Sequence, residues 1–295
     1  LKDLQQALGP ADAMGVTMTA ELSDAFRSKR EGVGFVFDSV REAFPGIPLY
    51  ALDLEGNWGN LHEDLGDLIS FAATNWIAEG LMVADRHPNC LLVDIGSTTT
   101  DIVPILGGRL AAQGRTDTDR LIWGELVYTG ALRTPVSAIA PWIPVKGLWC
   151  RTSPELFAIT ADVYLVLGDI RPGGYTVTTP DGREKTVELS RERLARAVCA
   201  DASILTGEEI FKMATYLAEK QIQQIVEALV QVLSRIEGGL RLPMITAGFG
   251  EFLAERCARR LGLRAVSVKE LFGPDAAASA PSLATAYLLA KYLYL

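Results

Sequence analysis

Histidine is almost missing from this 295-residue chain, which holds only His62 and His87. A His-based zinc centre or a Ser-His-Asp triad is therefore not expected. Cysteine is sparse and scattered: Cys90, Cys150, Cys199 and Cys257 form no CxxC pair. That spacing excludes a paired-thiol redox or zinc motif and predicts reduced thiols in a cytoplasmic protein. Basic charge is also short, with 28 Lys and Arg against 36 Asp and Glu, a net of −8. Nucleic acid is thus not expected as a partner. Phosphate ligands remain open, because a phosphate site needs only local N–H groups and a metal. No uncharged apolar run reaches the roughly 18–20 residues of a membrane span, so no membrane partner is expected. No secretory signal is visible. What is abundant is core material: 49% of residues are hydrophobic, in a length that suits one large domain or two ordinary ones.

Along the chain, Leu4, Leu8 and Gly9-Pro10 look like the end of a helix, so native residues are expected to precede Leu1. Residues 11–21 read as strand, carrying Thr17, Thr19 and Glu21 toward its end. A helix is predicted over 26–44, a strand over 47–54, and a helix over 65–85 from the spacing of Leu68, Ala72, Trp76 and Ile77. Strand alternating with helix is an α/β signature. Residues 114–149 are mixed and loop-rich, and Thr160 to Gly168 is an apolar helix or strand, with helix favoured and Gly168 past its end. Gly173 to Gly182 reads as an exposed, turn-rich insertion, followed by a short Arg-rich helix from Ser190. Thr206-x-x-Glu209 is a capping box opening the longest helix, which ends at Gly238-Gly239. A strand before Gly248, a helix to Leu261, a strand over 265–268 and a last helix from Pro281 complete the pattern.

The stretch Cys90-Leu-Leu-Val-Asp94-Ile-Gly96-Ser97-Thr98-Thr99-Thr100-Asp101-Ile-Val-Pro-Ile105 carries the chemistry. An apolar run ends in an aspartate, turns through a glycine and four hydroxyl residues, and resumes as strand. Gly96 lets backbone N–H groups approach a ligand, and the hydroxyls add donors, which suits phosphate oxygens. Asp94 can hold Mg²⁺ or order a water. A buried hairpin with a Ser/Thr turn would show the same pattern. The second feature is Ile245-Thr-Ala-Gly248-Phe-Gly250-Glu251, a strand running through a glycine turn into a helix, where anions are stabilised.

Together these two turns resemble the actin-like ATPase superfamily, which includes sugar and acetate kinases and heat-shock ATPases. Within it, DIGSTTTDIVPI and the early VTMTAELSD resemble the hydantoinase-A-like branch, and specifically its tetrahydromethanopterin-linked C1-pathway proteins. Further matches are Ala73-Thr-Asn75-Trp76, Gly124-Glu125 through Arg133-Thr134-Pro135, and Thr160 through Gly168. The resemblance implies an α/β, ribonuclease-H-like fold of two lobes with a cleft between them. Residues 1–89 would be the remainder of the first lobe, with the C-terminal helix a candidate to join it. Residues 90–295 would be the second lobe, with phosphate loop 94–101 and glycine turn 246–251. The family's N-terminal phosphate hairpin is not seen before Asp94, which fits a missing native N-terminus or a degenerate site.

The resemblance further implies a synthase of methanofuran biosynthesis. It would join an (aminomethyl)furanylmethyl diphosphate to the phenol of γ-glutamyltyramine, forming an ether and releasing diphosphate. Gly96, Ser97, Thr98, Thr99, Thr100, Gly248 and Gly250 would hold the diphosphate, and Asp94 and Asp101 the Mg²⁺ cofactor. A carboxylate must accept the phenol proton. Glu21 is the first candidate, with Asp24 and Glu125 beside it. Thr19, Asn75, Glu125, Arg133 and Thr134 would line the substrate site, with Arg133 on the glutamyl carboxylate. Tyr164 and Trp76 read as core rather than stacking platforms. Two rivals stay open: an ATP-dependent small-molecule kinase of the same fold, and a non-catalytic regulator with a vestigial phosphate pocket. Partners are small molecules, with self-association into a homo-oligomer left open.

Overall fold

The computed structural model describes residues 9–277 and 280–294, so the helix end expected around Leu4 and Leu8 lies outside the described residues. The elements in chain order are strands β1 (Met14–Val16), β2 (Leu49–Leu52), β3 (Trp58–Asn60), β4 (Cys90–Ile95), β5 (Thr100–Leu106), β6 (Arg109–Leu110), β7 (Leu126–Val127), β8 (Trp142–Val145), β9 (Leu148–Arg151), β10 (Met244–Ala247) and β11 (Ala265–Ser267). The helices are α1 (Lys29–Ala43), α2 (Asn75–Arg86), α3 (Asp117–Trp123), α4 (Val136–Ile139), α5 (Thr160–Leu167), α6 (Val187–Arg196), α7 (Gly207–Ser234), α8 (Glu251–Leu261), α9 (Val268–Phe272) and α10 (Ala280–Tyr294). The described residues fall into two compact units: those within 1–90, 103–120 and 268–295 form the first, and 91–102 with 121–267 the second.

In the first unit, β1 and β2 pair in parallel around the α1 crossover, and β3 returns antiparallel on β2. Val33, Phe37, Leu49 and Leu61 form its core. The strand expected over 11–21 is only three residues long, and Glu21 lies in a turn beyond it. The single helix expected over 65–85 is broken. A short 3₁₀ turn (Leu68–Phe71), capped by Asp67, precedes α2, and between them Ala73 takes φ +53°. Alanine is the best helix former. Its N–H is donated instead to Glu21 Oε1 at 2.9 Å, and that bond stops the helix.

In the second unit, β11, β10, β4 and the start of β5 lie side by side, with β7 on the first residues of β5. Every residue of β4 is buried, which is why its sequence is a continuous apolar run rather than an alternation. β10, α8 and β11 form a parallel strand–helix–strand unit. The capping box forms as expected: Thr206 Oγ1 accepts from Glu209 N–H, and Glu209 Oε2 accepts from Thr206 N–H at 2.8 Å. Tyr164 and Trp76 are core residues. Residues 173–182 are not simply an exposed insertion. Tyr175, Val177 and Thr179 are buried, and the Tyr175 hydroxyl donates to Asp162 at 3.2 Å, beside the fully buried Asp162–Arg193 ion pair. The hairpin β8–β9, in the loop-rich stretch, turns through Lys146 (φ +50°) and Gly147 (φ +82°). All four cysteines are free thiols, and no helix of the described residues is long and apolar enough to cross a membrane.

Candidate functional site

β4 delivers Asp94 and Ile95 at its end, and the chain must reverse at once to begin β5. The Gly96 N–H donates to the Thr99 carbonyl at 2.9 Å and closes a four-residue turn. The segment after β7 braces this turn from outside. Ala131 N–H donates to the Gly96 carbonyl at 2.9 Å, and the Leu132 and Arg133 N–H groups donate to the Ser97 carbonyl at 3.0 and 2.9 Å. Gly130 sits so close that a Cβ there would be 2.5 Å from Thr98 N. Ser97, Thr98 and Thr99 stay half-buried, while Asp94 and Asp101 at the two ends of the turn are each 8% exposed.

The second glycine turn meets the first directly. β10 pairs with β4 so that Ala247 stands opposite Asp94. Gly248 therefore falls on the aspartate: a Cβ there would be 2.0 Å from Asp94 Oδ1 and 2.4 Å from the Ile95 carbonyl oxygen. The Gly250 N–H donates to that same carbonyl at 2.7 Å. These glycines serve close packing of the two turns, and the Gly250 donor is committed to Ile95. Glu251, in the first turn of α8, is buried and takes a hydrogen bond from Thr246 Oγ1 at 3.2 Å.

Several hydroxyls expected to face a ligand hold the turn in place. Thr100 Oγ1 donates to the Thr129 carbonyl at 2.8 Å. Thr134 Oγ1 accepts from Gly130 N–H at 2.9 Å. Gln221 of α7 completes the brace, its Nε2 donating to Thr129 Oγ1 at 2.9 Å and to the Gly130 carbonyl at 2.8 Å, while its Oε1 accepts from the Tyr164 hydroxyl. Glu125, a candidate base, is instead fully buried and ion-paired with Arg235, the residue that caps the C-terminal end of α7. Arg133 has an exposed side chain beside the turn. Sequence reasoning assigned no role to Gly130 or Gln221. A signal for Gln221 existed: it stands four residues after Leu217 and four before Ile225, on the apolar stripe of α7.

Glu21 belongs to the first unit, and only 3% of it is exposed. Its Oε1 accepts the Ala73 N–H, and its Oε2 is buried without a hydrogen-bond partner. Burial raises its pKa above the usual carboxylate value and the nearby Asp117 charge adds to this, while its backbone hydrogen bonds and Lys29 act in the opposite sense. Asn75 is the half-buried first residue of α2, whereas Thr19 and Asp24 are exposed. Arg120 is buried with its guanidinium 4.2 Å from the centre of the Trp76 ring.

This geometry can be set beside known proteins. The hydantoinase/oxoprolinase family model matches residues 12–292. A relative from Methanocaldococcus jannaschii, a (4-{4-[2-(γ-L-glutamylamino)ethyl]phenoxymethyl}furan-2-yl)methanamine synthase, is 38% identical over 283 residues, 96% of this chain and 84% of that protein. A synthase of the same name from Methanococcus vannielii is 36% identical over 209 residues, 70% of this chain and 92% of its own. Among solved structures, nucleotide-free acetone carboxylase aligns with a TM-score of 0.59 at 14% identity, over 87% of this chain and 37% of that one. An ATP-dependent caprolactamase from Pseudomonas jessenii aligns at 0.50 and 15% identity, over 87% and 39%. This chain spans less than two-fifths of either, and the likeness concerns fold: α/β, of the actin-like ATPase type. With a family model running through both glycine turns and two relatives above one-third identity, the chain belongs to the hydantoinase/oxoprolinase family.

Proposed function

We propose that this protein is a transferase of methanofuran biosynthesis that makes the ether bond of (4-{4-[2-(γ-L-glutamylamino)ethyl]phenoxymethyl}furan-2-yl)methanamine. The observation that carries this reading is the 38% identity over 96% of the chain to the M. jannaschii synthase. In the reaction, the phenol of γ-glutamyltyramine attacks the methylene carbon of an (aminomethyl)furanylmethyl diphosphate. The C–O bond to the leaving group breaks, its electron pair leaves with the diphosphate, and the phenol proton passes to a base. Neither the kinase nor the regulator reading is favoured by relatives that carry a synthase name.

The residues support this chemistry in kind. Ser97, Thr98 and Thr99 present half-buried hydroxyls on a braced turn, suited to donating hydrogen bonds to the departing diphosphate. Asp94 and Asp101 supply two carboxylates, and Mg²⁺ typically takes one or two such ligands together with substrate phosphates and water. Bound there, Mg²⁺ would neutralise charge that develops on the leaving group. Glu21 is the proposed proton acceptor, its raised pKa bringing it nearer neutrality, where a general base works best. Arg133 would take the glutamyl carboxylate, and Thr19 and Asn75 remain proposed substrate contacts. Thr100, Thr134 and Gly250 act by fixing the turn.

Incubating the full chain with Mg²⁺, γ-glutamyltyramine and the furan diphosphate should release diphosphate and yield the ether, read by mass spectrometry. Asp94→Asn should abolish turnover while the circular dichroism spectrum persists. ATP hydrolysis without ether formation would overturn the reading.

A further inference from the structure

Two charged residues of the first unit have no part in the reaction as drawn so far. Lys29 opens α1, Asp117 opens α3, and their side chains form an ion pair. Both act on Glu21. Gly32, one helical turn after Lys29, is seated on the Glu21 backbone, where a Cβ would be 2.5 Å from the carbonyl oxygen. The first turn of α1 is therefore fixed against Glu21. The charged groups close enough to act electrostatically on the carboxyl are Lys29 from α1 and Asp117 from α3, and the segment before α2 contributes the Ala73 N–H at 2.9 Å. Ala73 adopts a left-handed backbone conformation to do so. One carboxyl oxygen is thus occupied, and Oε2 is buried without a partner.

An ammonium free to turn toward that oxygen would form an ion pair with it and weaken it as a base. Here the Lys29 ammonium is held by Asp117 instead. We propose that Lys29 and Asp117 are positioning residues for Glu21: their ion pair keeps the ammonium off Oε2, which stays available to accept the phenol proton. This inference rests on the synthase reading. In the step, the phenol O–H bond breaks, the proton goes to Glu21 Oε2, and the phenolate oxygen bonds to the furanylmethyl carbon as diphosphate departs. The carboxyl returns its proton to solvent before the next turnover. Burial and the Asp117 charge favour the protonated carboxyl, whereas Lys29 opposes them.

The test is the pH dependence of kcat/KM for ether formation in the full chain. Asp117→Asn releases Lys29 toward Glu21, so the acidic limb should move to lower pH by about 1 unit, with a lower plateau. Lys29→Met leaves Asp117 acting alone, so the limb should move to higher pH. Lys29→Arg preserves the pair and should restore the wild-type profile. Titration of the Glu21 carboxyl by ¹³C NMR, assigned with Glu21→Gln, should show the same opposite displacements even in a weakly active variant. Shifts in one direction for both variants, or an unmoved limb and unmoved titration, overturn the proposal while leaving the synthase reading intact. A wild-type protein that forms no ether overturns both.

Discussion

Alanine at Gly248 would place its Cβ 2.0 Å from Asp94 Oδ1 and 2.4 Å from the Ile95 carbonyl oxygen. No rotamer relieves this, because Cβ is fixed by the backbone and one of the contacted atoms is itself backbone. Gly248 also has φ +83°, where an L-residue costs about 1–2 kcal/mol. Overpacking of a closed junction adds about 1–3 kcal/mol. The sum is about 2–5 kcal/mol, a large share of the roughly 5–15 kcal/mol of a typical native state. Gly262 is the internal control: its φ is +69°, yet nothing lies within 4 Å of its Cβ position. Gly262→Ala should therefore cost only the conformational part, about 1 kcal/mol. Urea midpoints for the two variants, read by circular dichroism at equal slope, give the comparison directly. Gly248→Ala should lose at least twice as much stability, and its folded fraction should also lose activity, since the clash falls on Asp94. Equal losses at the two positions would refute the packing of the glycine turn against the aspartate.

Glu21→Gln tests the buried carboxyl. Its folded-state pKa lies above the unfolded value near 4.5, so its stabilising contribution is complete below that value and is lost as pH rises through the folded-state pKa. Thermal melts should therefore show the variant gaining stability relative to wild type at neutral pH compared with about pH 4; the opposite trend would contradict the shift. Gln221→Leu removes the donors to Thr129 Oγ1 and the Gly130 carbonyl and the acceptor of the Tyr164 hydroxyl. Denaturation should register a loss of about 1–3 kcal/mol, and an unchanged midpoint would show that the brace contributes nothing.

How much of this protein was legible beforehand depended on whether the governing interaction is local. Apolar runs, helical spacing and end signals act within a few residues. The strand–turn–strand at 90–106, the capping box of α7 and the helix at 160–167 are all visible on that scale. The break before α2 was not, because it is made by Glu21, 52 residues away. Glu125 looked like a site carboxylate, but the Arg235 that pairs with it lies 110 residues away, just past the end of α7. Thr100 and Thr134 carry the same hydroxyl as Thr98 and Thr99, and nothing nearby in the chain says which hydroxyls will be buried.

By itself, the sequence determined the α/β alternation, the two glycine turns as places of tight reversal, and membership in a family. Periodicity and backbone freedom are properties of neighbouring residues, and they survive without knowledge of the fold. Only the tertiary structure decided that Gly248 is a glycine because Asp94 lies under it, and that Gly130 and Gln221 brace the turn after β4. It also decided that one Glu21 oxygen has a partner and the other has none. Those outcomes depend on which distant backbone and side-chain atoms arrive within 3 Å of one another, and register between far-separated strands sets that distance.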